Sequence, residues 1–316
     1  MPPLPTFIYN QLFHHPQKPT QPLTHKTIII TGANSGLGLE AARHIVSLGA
    51  RAILGVRDMA SGHAAKASIE DSTSRPDACE VWEVDLASYA SVLGFAERVN
   101  ALPRVDGVIC NAAIATREFR VVEGHESSVT VNVVSSLLLG VLVLPKLRGC
   151  EGVLSFVVSE VHAWTGFVEG RDPRGVFVAL DDADSVDMYE RYPTSKLLLV
   201  LAVREMVTRL RDGGKVVVNM VNPGFCHSRL ARDAGWGFWV MKLLLARSTE
   251  EGSRTLVAAL SAGGSSHGKY MDCGKVDEGA LSDFVRSADG LDAQRRVWGE
   301  LEDILEGIKP GVLGNL

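Results

Sequence analysis

Between residues 27 and 49 a buried-type run, Thr27-Ile-Ile-Ile30, passes into the amphipathic stretch LEAARHIVSLGA, and the junction reads Thr31-Gly-Ala-Asn-Ser-Gly-Leu-Gly38. No other feature of the chain restricts its fold so strongly. Glycines at 32, 36 and 38 let the backbone adopt conformations barred to other residues and come close to a ligand. A helix that starts there presents unpaired N–H groups and partial positive charge, which suits a pyrophosphate. Gly32, Asn34, Ser35, Gly36, Leu37 and Gly38 are therefore candidate dinucleotide-binding residues. Alone, such a string marks only a tight turn. A strand before it, a helix after it and a second strand beyond give it meaning.

The same alternation continues. Apolar runs at 27–30, 52–56, 81–84, 105–110, 152–158 and 215–221 read as buried strands. Helical patterns at about 36–49, 58–70, 88–101, 118–145 and 187–212 lie between them. Strands separated by helices of that length imply right-handed crossovers, a parallel sheet and a doubly wound α/β (Rossmann) fold. After 223 the alternation weakens, leaving helices near 248–261 and 288–307 and a last strand within HGKYM, 267–271. The first 25 residues carry six of the 13 prolines and read as an extended arm. One catalytic-type domain over 26–316 is expected, with a substrate lid over about 225–262.

At 46% hydrophobic and 22% charged residues, the 316-residue chain has ample material for a core. A net charge of −5 offers no broad cationic surface, so nucleic acid is not an expected partner. Five cysteines at irregular spacing show neither a disulfide framework nor a metal-ligand motif, so no metal is expected. With no leader-like pattern and no long uninterrupted apolar window, the expectation is a cytoplasmic protein without an integral membrane segment.

Two further constellations carry chemistry. Arg57 ends the second strand, where a guanidinium faces a ribose 2′-phosphate and an acidic residue would instead bind a 2′-OH, so NADP(H) is favoured over NAD(H). As a plain strand-end residue Arg57 would be solvated, and Asp58 stands beside it. Tyr192 and Lys196 are four residues apart, on one face of a helix. An ammonium nearby stabilises a phenolate and draws the phenol toward its working range. Without the glycine turn, such a pair is an ordinary surface feature.

Together, the Thr31–Gly38 turn and Tyr192-Pro-Thr-Ser-Lys196 resemble the short-chain dehydrogenase/reductase family. That resemblance covers residues 27 to 225 and implies further roles. Ser159, at the end of the fifth strand, would hydrogen-bond a substrate oxygen, and Asn132 would hold a helix kink and a water linking Lys196 to solvent. Asp85 and Leu86 would meet the adenine, Asn111 and Ala112 would line the cleft, and Pro223-Gly224 would lie beside the nicotinamide. The family's Asn-Asn-Ala-Gly reads Cys110-Asn-Ala-Ala113 here. Ser159-Glu-Val-His162, the Arg57-Asp58 strand end and the Trp298 tail look most like the retinol-dehydrogenase-related branch, including reductases of fungal natural-product pathways. Pairing into a homodimer through the fourth and fifth helices is common in the family.

The activity implied by the resemblance is reduction of a ketone or aldehyde to an alcohol with NADPH, reversibly. His162 reads as structural, and Tyr189 is excluded because Pro193 stands four residues on. Ser159 and Tyr192 are 33 positions apart, more than the family's usual spacing, and the intervening segment reads as a loop insertion. That insertion and the 225–246 segment are expected to set the choice of an apolar small-molecule substrate, and the run with Trp236, Phe238 and Trp239 within 235–246 can line a pocket, touch a membrane or pack in the core. Two other readings use the same turn: dehydration, isomerisation or cyclisation without net redox, and a non-catalytic NADP(H)-binding regulator. A methyltransferase would share the turn but has no use for Tyr192 and Lys196.

Overall fold

The computed structural model describes residues 11, 14–211, 213–227 and 246–316. Strands β1 (Thr27–Thr31), β2 (Arg51–Val56), β3 (Cys79–Glu83) and β4 (Gly107–Cys110) alternate with helices α1 (Gly36–Ser47), α2 (Met59–Thr73) and α3 (Tyr89–Ala101). A hairpin, β5 (Val121–Val122) and β6 (His125–Glu126), then precedes helix α4 (Ser127–Cys150). Strand β7 (Val153–Val157), helix α5 (Arg191–Arg209), strand β8 (Val217–Asn222), helix α6 (Thr249–Ser261), strands β9 (Tyr270–Asp272) and β10 (Lys275–Val276) and helix α7 (Ala288–Ile308) complete the chain. The main sheet runs β3-β2-β1-β4-β7-β8-β9-β10 and is parallel except for β10. Its order reverses between β1 and β4, which places the crevice at the carboxyl ends of those two strands.

Period-two side chains build a core on each face. Ile29, Val108, Leu154, Phe156 and Met220 point toward α3, α4, α5 and α7. Their neighbours Ile28, Ile30, Ile109, Val157 and Val221 point toward α1, α2 and α6. In α7, Val297, Trp298, Leu301 and Leu305 recur at helical spacing and are fully buried.

Several expected boundaries shift. The helix expected at 118–145 begins at Ser127, because Glu123 and Gly124 both take positive φ (53° and 90°) and fold residues 121–126 into a hairpin. It continues through Pro145 to Cys150, held by the fully buried Leu147. This helix is apolar and long enough to cross a membrane, yet 94% of its most apolar window is buried inside the protein. The helix expected at 187–212 spans 191–209, and β3 starts two residues early, at Cys79. The insertion is not all loop: it holds a 3-10 turn, Val168–Arg171, and a short helix, Val176–Leu180, whose apolar side is buried. In the region expected as a lid, residues 249–261 form α6, packed on α1 in the second core, so that stretch is scaffold. Trp236, Phe238, Trp239 and the rest of 228–245 lie outside the described residues.

Close packing of α4 on the sheet depends on Gly140. A Cβ there would sit 2.6 Å from Cζ of Phe156, whose ring is fully buried. Alanine gains about 1 kcal/mol of helix propensity but overpacks a ring with no room to move. Gly140→Ala should lower stability by about 1–2 kcal/mol net, read from the urea midpoint; a stabilised variant would contradict this packing.

Candidate active site

The glycine turn is built by contact with the end of β4. Gly32 has φ +67°, and a Cβ on it would lie 3.1 Å from Cα of Ala112. At Gly38 a Cβ would lie 2.4 Å from the Gly32 carbonyl oxygen and 2.7 Å from Nδ2 of Asn111. Thr31 Oγ1 accepts from the N–H groups of Asn111 and Ala112, both at 3.0 Å. Asn111 Nδ2 donates back to the Thr31 carbonyl at 2.8 Å. Asn111 and Ala112 thus brace the turn.

The opposite side of the turn is open. Gly36, with φ +58°, has nothing within 4 Å of the position a Cβ would take. Asp58 caps α2 and Ser88 caps α3 through their side chains, whereas Ser35 makes no such bond to α1. The first amides of α1 are left for an anion, and the turn fits a dinucleotide pyrophosphate. Asn34 Nδ2 donates to Ser61 Oγ at 2.9 Å, linking the turn to the first turn of α2. Arg57 is exposed beside them. Leu86 is buried at the end of β3, and Asp85 Oδ1 accepts from the Ala87 N–H at 2.9 Å.

From β4 a hydrogen-bonded relay leads to the catalytic-type residues. Residues Thr130–Val134 are wound as a π-helix with Asn132 at its centre, a feature frequent at functional sites. Asn132 Oδ1 accepts from the Ile114 N–H at 2.8 Å, while Nδ2 donates to the Ile114 carbonyl and to Ser195 Oγ, both at 2.9 Å. Ser195 Oγ donates to the Tyr192 carbonyl at 2.8 Å. Lys196 is 3% exposed and donates to the Val157 carbonyl at 2.8 Å, with Nζ 5.7 Å from the centre of the Tyr192 ring. Ser159, two residues beyond Val157, starts the turn Glu160–Ala163. That turn is tied to α5 through Thr165, whose hydroxyl meets Thr194 Oγ1 at 2.7 Å.

Burial, and not the expected ammonium field, dominates both titrating groups. It raises the Tyr192 phenol well above its ordinary value and lowers Lys196 to about 8. The Lys196 ammonium is held by the Val157 carbonyl rather than by the phenol. His162 is fully buried: Nδ1 pairs with the Ser159 carbonyl at 2.8 Å and Nε2 accepts from the Ser282 N–H at 3.0 Å. Both nitrogens are occupied in the neutral form, which burial favours. Tyr189 is 72% exposed and stacks under Arg117.

Some site residues were not singled out from sequence. Asn222 Oδ1 accepts from the N–H of Glu160 at 3.3 Å and of Gly224 at 3.1 Å, joining the Ser159 turn to Pro223-Gly224. Glu160 itself is pushed up to about 7 by burial and by Asp272. Arg191 is buried next to Tyr192, with Nε 3.4 Å from Glu126 and Nη1 3.6 Å from Glu169. It fastens α5 to the start of α4 and to the insertion. The only sequence signal for Arg191 and Asn222 is adjacency to Tyr192 and Pro223.

The family model for short chain dehydrogenase matches residues 26–168. The chain is 48% identical to a short chain dehydrogenase/reductase, dmxR8, of Cryptosporiopsis sp. (strain 8999), over 98% of this chain and 99% of that one. The chain is a short-chain dehydrogenase/reductase. This oxidoreductase is also 41% identical to the short-chain dehydrogenase anuD of Penicillium roqueforti (strain FM164), over 97% and 84% of the two chains. Its fold matches a solved 3-ketoacyl-(acyl-carrier-protein) reductase from Brucella melitensis complexed with NADH. There the TM-score is 0.60 at 20% identity, covering 79% of this chain and 97% of the other. As a member of this family, the oxidoreductase takes a nicotinamide cofactor and a small-molecule substrate.

An ammonium forced into the core weakens the fold. With Lys196 at about 8 when folded and 10.5 otherwise, the penalty is full below pH 8 and fades as pH rises toward 10.5. Lys196→Met should therefore stabilise the oxidoreductase at pH 7 by on the order of 2 kcal/mol, less at pH 10, while abolishing turnover. A lower melting temperature at pH 7 would contradict this.

Proposed function

We propose that the protein is an NADPH-dependent reductase that converts a ketone or aldehyde on an apolar, natural-product-type substrate to an alcohol, reversibly, in the cytoplasm. The observation that carries this reading is the path from the glycine turn, hydrogen-bonded to Asn111, along the chain to Ile114, and from there by hydrogen bonds through Asn132 and Ser195 to the Tyr192 main chain, with Lys196 four residues on. A binding-only protein has no need to anchor a buried lysine and a phenol on one helix face at the end of that path.

Gly32–Gly38 with the amides of α1 would hold the pyrophosphate, and Asp85, Leu86, Asn111, Ala112, Pro223 and Gly224 would flank the rest of the cofactor. The cofactor supplies the hydride. Tyr192, protonated at neutral pH, gives its proton to the carbonyl oxygen, and Ser159 Oγ donates a hydrogen bond to the same oxygen. Lys196 binds the ribose hydroxyls and Asn132 keeps α4 open at its π turn. Tyr192→Phe removes the proton donor and should cut turnover by about three orders of magnitude with cofactor binding intact; near-normal turnover would refute the assignment.

The preference for a 2′-phosphate is supported by the division of labour at the end of β2. Asp58 accepts from the Ala60 N–H at 3.0 Å as the cap of α2, which directs that carboxylate to the helix, while the neighbouring Arg57 is exposed with its guanidinium available to a phosphate. Arg57→Ala should weaken NADPH binding by roughly tenfold or more and leave NADH nearly unchanged, as measured by fluorescence titration. Equal losses would assign the cofactor preference elsewhere.

A further inference from the structure

The N-terminal arm is bonded to the cleft side of the molecule. Gln11 is 4% exposed, and its carboxamide engages both backbone polar groups of Phe225. Its Nε2 donates to the Phe225 carbonyl, and its Oε1 accepts from the Phe225 N–H at 3.3 Å. Farther along the arm, Arg247 Nη2 donates to the His14 carbonyl at 2.6 Å and Arg254 Nη1 to the Pro16 carbonyl at 3.0 Å. Arg247 in turn is paired through its backbone to Phe225 and His227, each at 2.9 Å. One residue, Phe225, is thus gripped by the arm and by the strand-like pairing with Arg247.

Phe225 follows Pro223-Gly224 at the carboxyl end of β8. Gly224 has φ +76°, and a Cβ on it would meet Arg247 Nη1 at 2.6 Å and Gln11 Oε1 at 3.3 Å. Glycine gives this turn conformational freedom that its own residues do not remove. Asn222 fixes one side of it by joining Gly224 to Glu160, next to Ser159. The other side is fixed by Gln11 together with the Arg247 N–H, which shares the Phe225 carbonyl. Burying a carboxamide is costly unless both ends are paired, and here both are paired to a single backbone residue.

We propose that Gln11 is a positioning residue: from the arm, it holds the Gly224–Phe225 backbone so that the turn seats the nicotinamide half of the dinucleotide between Ser159 and Tyr192. This rests on the cofactor reading above. A dinucleotide lying along the carboxyl edge, with its adenine half near Arg57 and its reactive end near Ser159 and Tyr192, ends beyond β7, where the neighbouring strand is β8 and the Gly224–Phe225 turn borders it. Loosening this turn should therefore affect one half of the cofactor and leave the other untouched.

The test compares two ligands on the full-length chain, NADPH and 2′,5′-ADP, which lacks the nicotinamide half. Gln11→Met keeps the length of the side chain and removes both hydrogen bonds. Its Kd for NADPH should rise roughly three- to tenfold with the Kd for 2′,5′-ADP unchanged. Gln11→Glu, which keeps the acceptor but sets a carboxylate against the Phe225 carbonyl, should show the same split, and it decides the matter should Gln11→Met fail to fold. An unchanged NADPH affinity, or equal losses for both ligands, overturns the proposal. Failure of the unmodified chain to bind NADPH would instead refute the cofactor reading itself.

Discussion

The structure depends on a close approach of two backbones at the carboxyl edge of the sheet. The turn between β1 and α1 and the end of β4 touch because neither Gly32 nor Gly38 has a side chain to separate them, and Asn111 fills what space remains. That contact sets the start of α1, and with it the direction of the helix amides. It also sets where the chain leaves β4, and hence where Ile114 meets Asn132. The chemistry on α5 is therefore located relative to the phosphate-binding turn by a series of hydrogen bonds, each to backbone or to a buried side chain. Such a relay is rigid because every member is satisfied within the protein.

Around this relay the protein places groups that stability alone would disfavour. Lys196 is an ammonium in the core, and Arg191 holds a second buried charge between Glu126 and Glu169. Buried charges of this kind are weak contributors to stability, but breaking one strands its partner. They fix geometry. Arg191 ties the insertion to the helix that bears Tyr192, and the π turn at Thr130–Val134 trades regular helix bonds for the placement of Asn132. Site geometry and fold stability pull in opposite directions here, as is usual where a side chain has a chemical task.

Much of this is legible in the linear chain. The alternation of apolar runs with amphipathic stretches reports strands and helices directly, since burial on a parallel sheet requires it, and the limits of the six strands expected between 27 and 221 agree to within two residues. Misplaced boundaries have local causes. The hairpin at 121–126 hides in an apolar-polar pattern that also fits a helix, and only the positive φ of Glu123 and Gly124 separates the two. The helix expected to end at 145 runs on through Pro145 to Cys150, with Leu147 beyond the proline fully buried. The helix at 249–261 has the same amphipathic pattern whether it covers a site or completes a core.

By itself, the sequence determined the layered α/β fold, the glycine turn that opens α1 and the family to which the chain belongs, and it singled out the pair Tyr192 and Lys196 on one helix face. These are properties of local pattern and spacing, carried by neighbours in the chain. Tertiary structure alone decided which way Lys196 faces, that burial outweighs its field on the phenol, that Arg191 is enclosed by two carboxylates, and that Gln11 in the arm grips Phe225. Each of these joins residues far apart in sequence or depends on how much water is excluded. Desolvation and long-range hydrogen bonding have no signature in a linear pattern, because both are set by the packing of the whole chain.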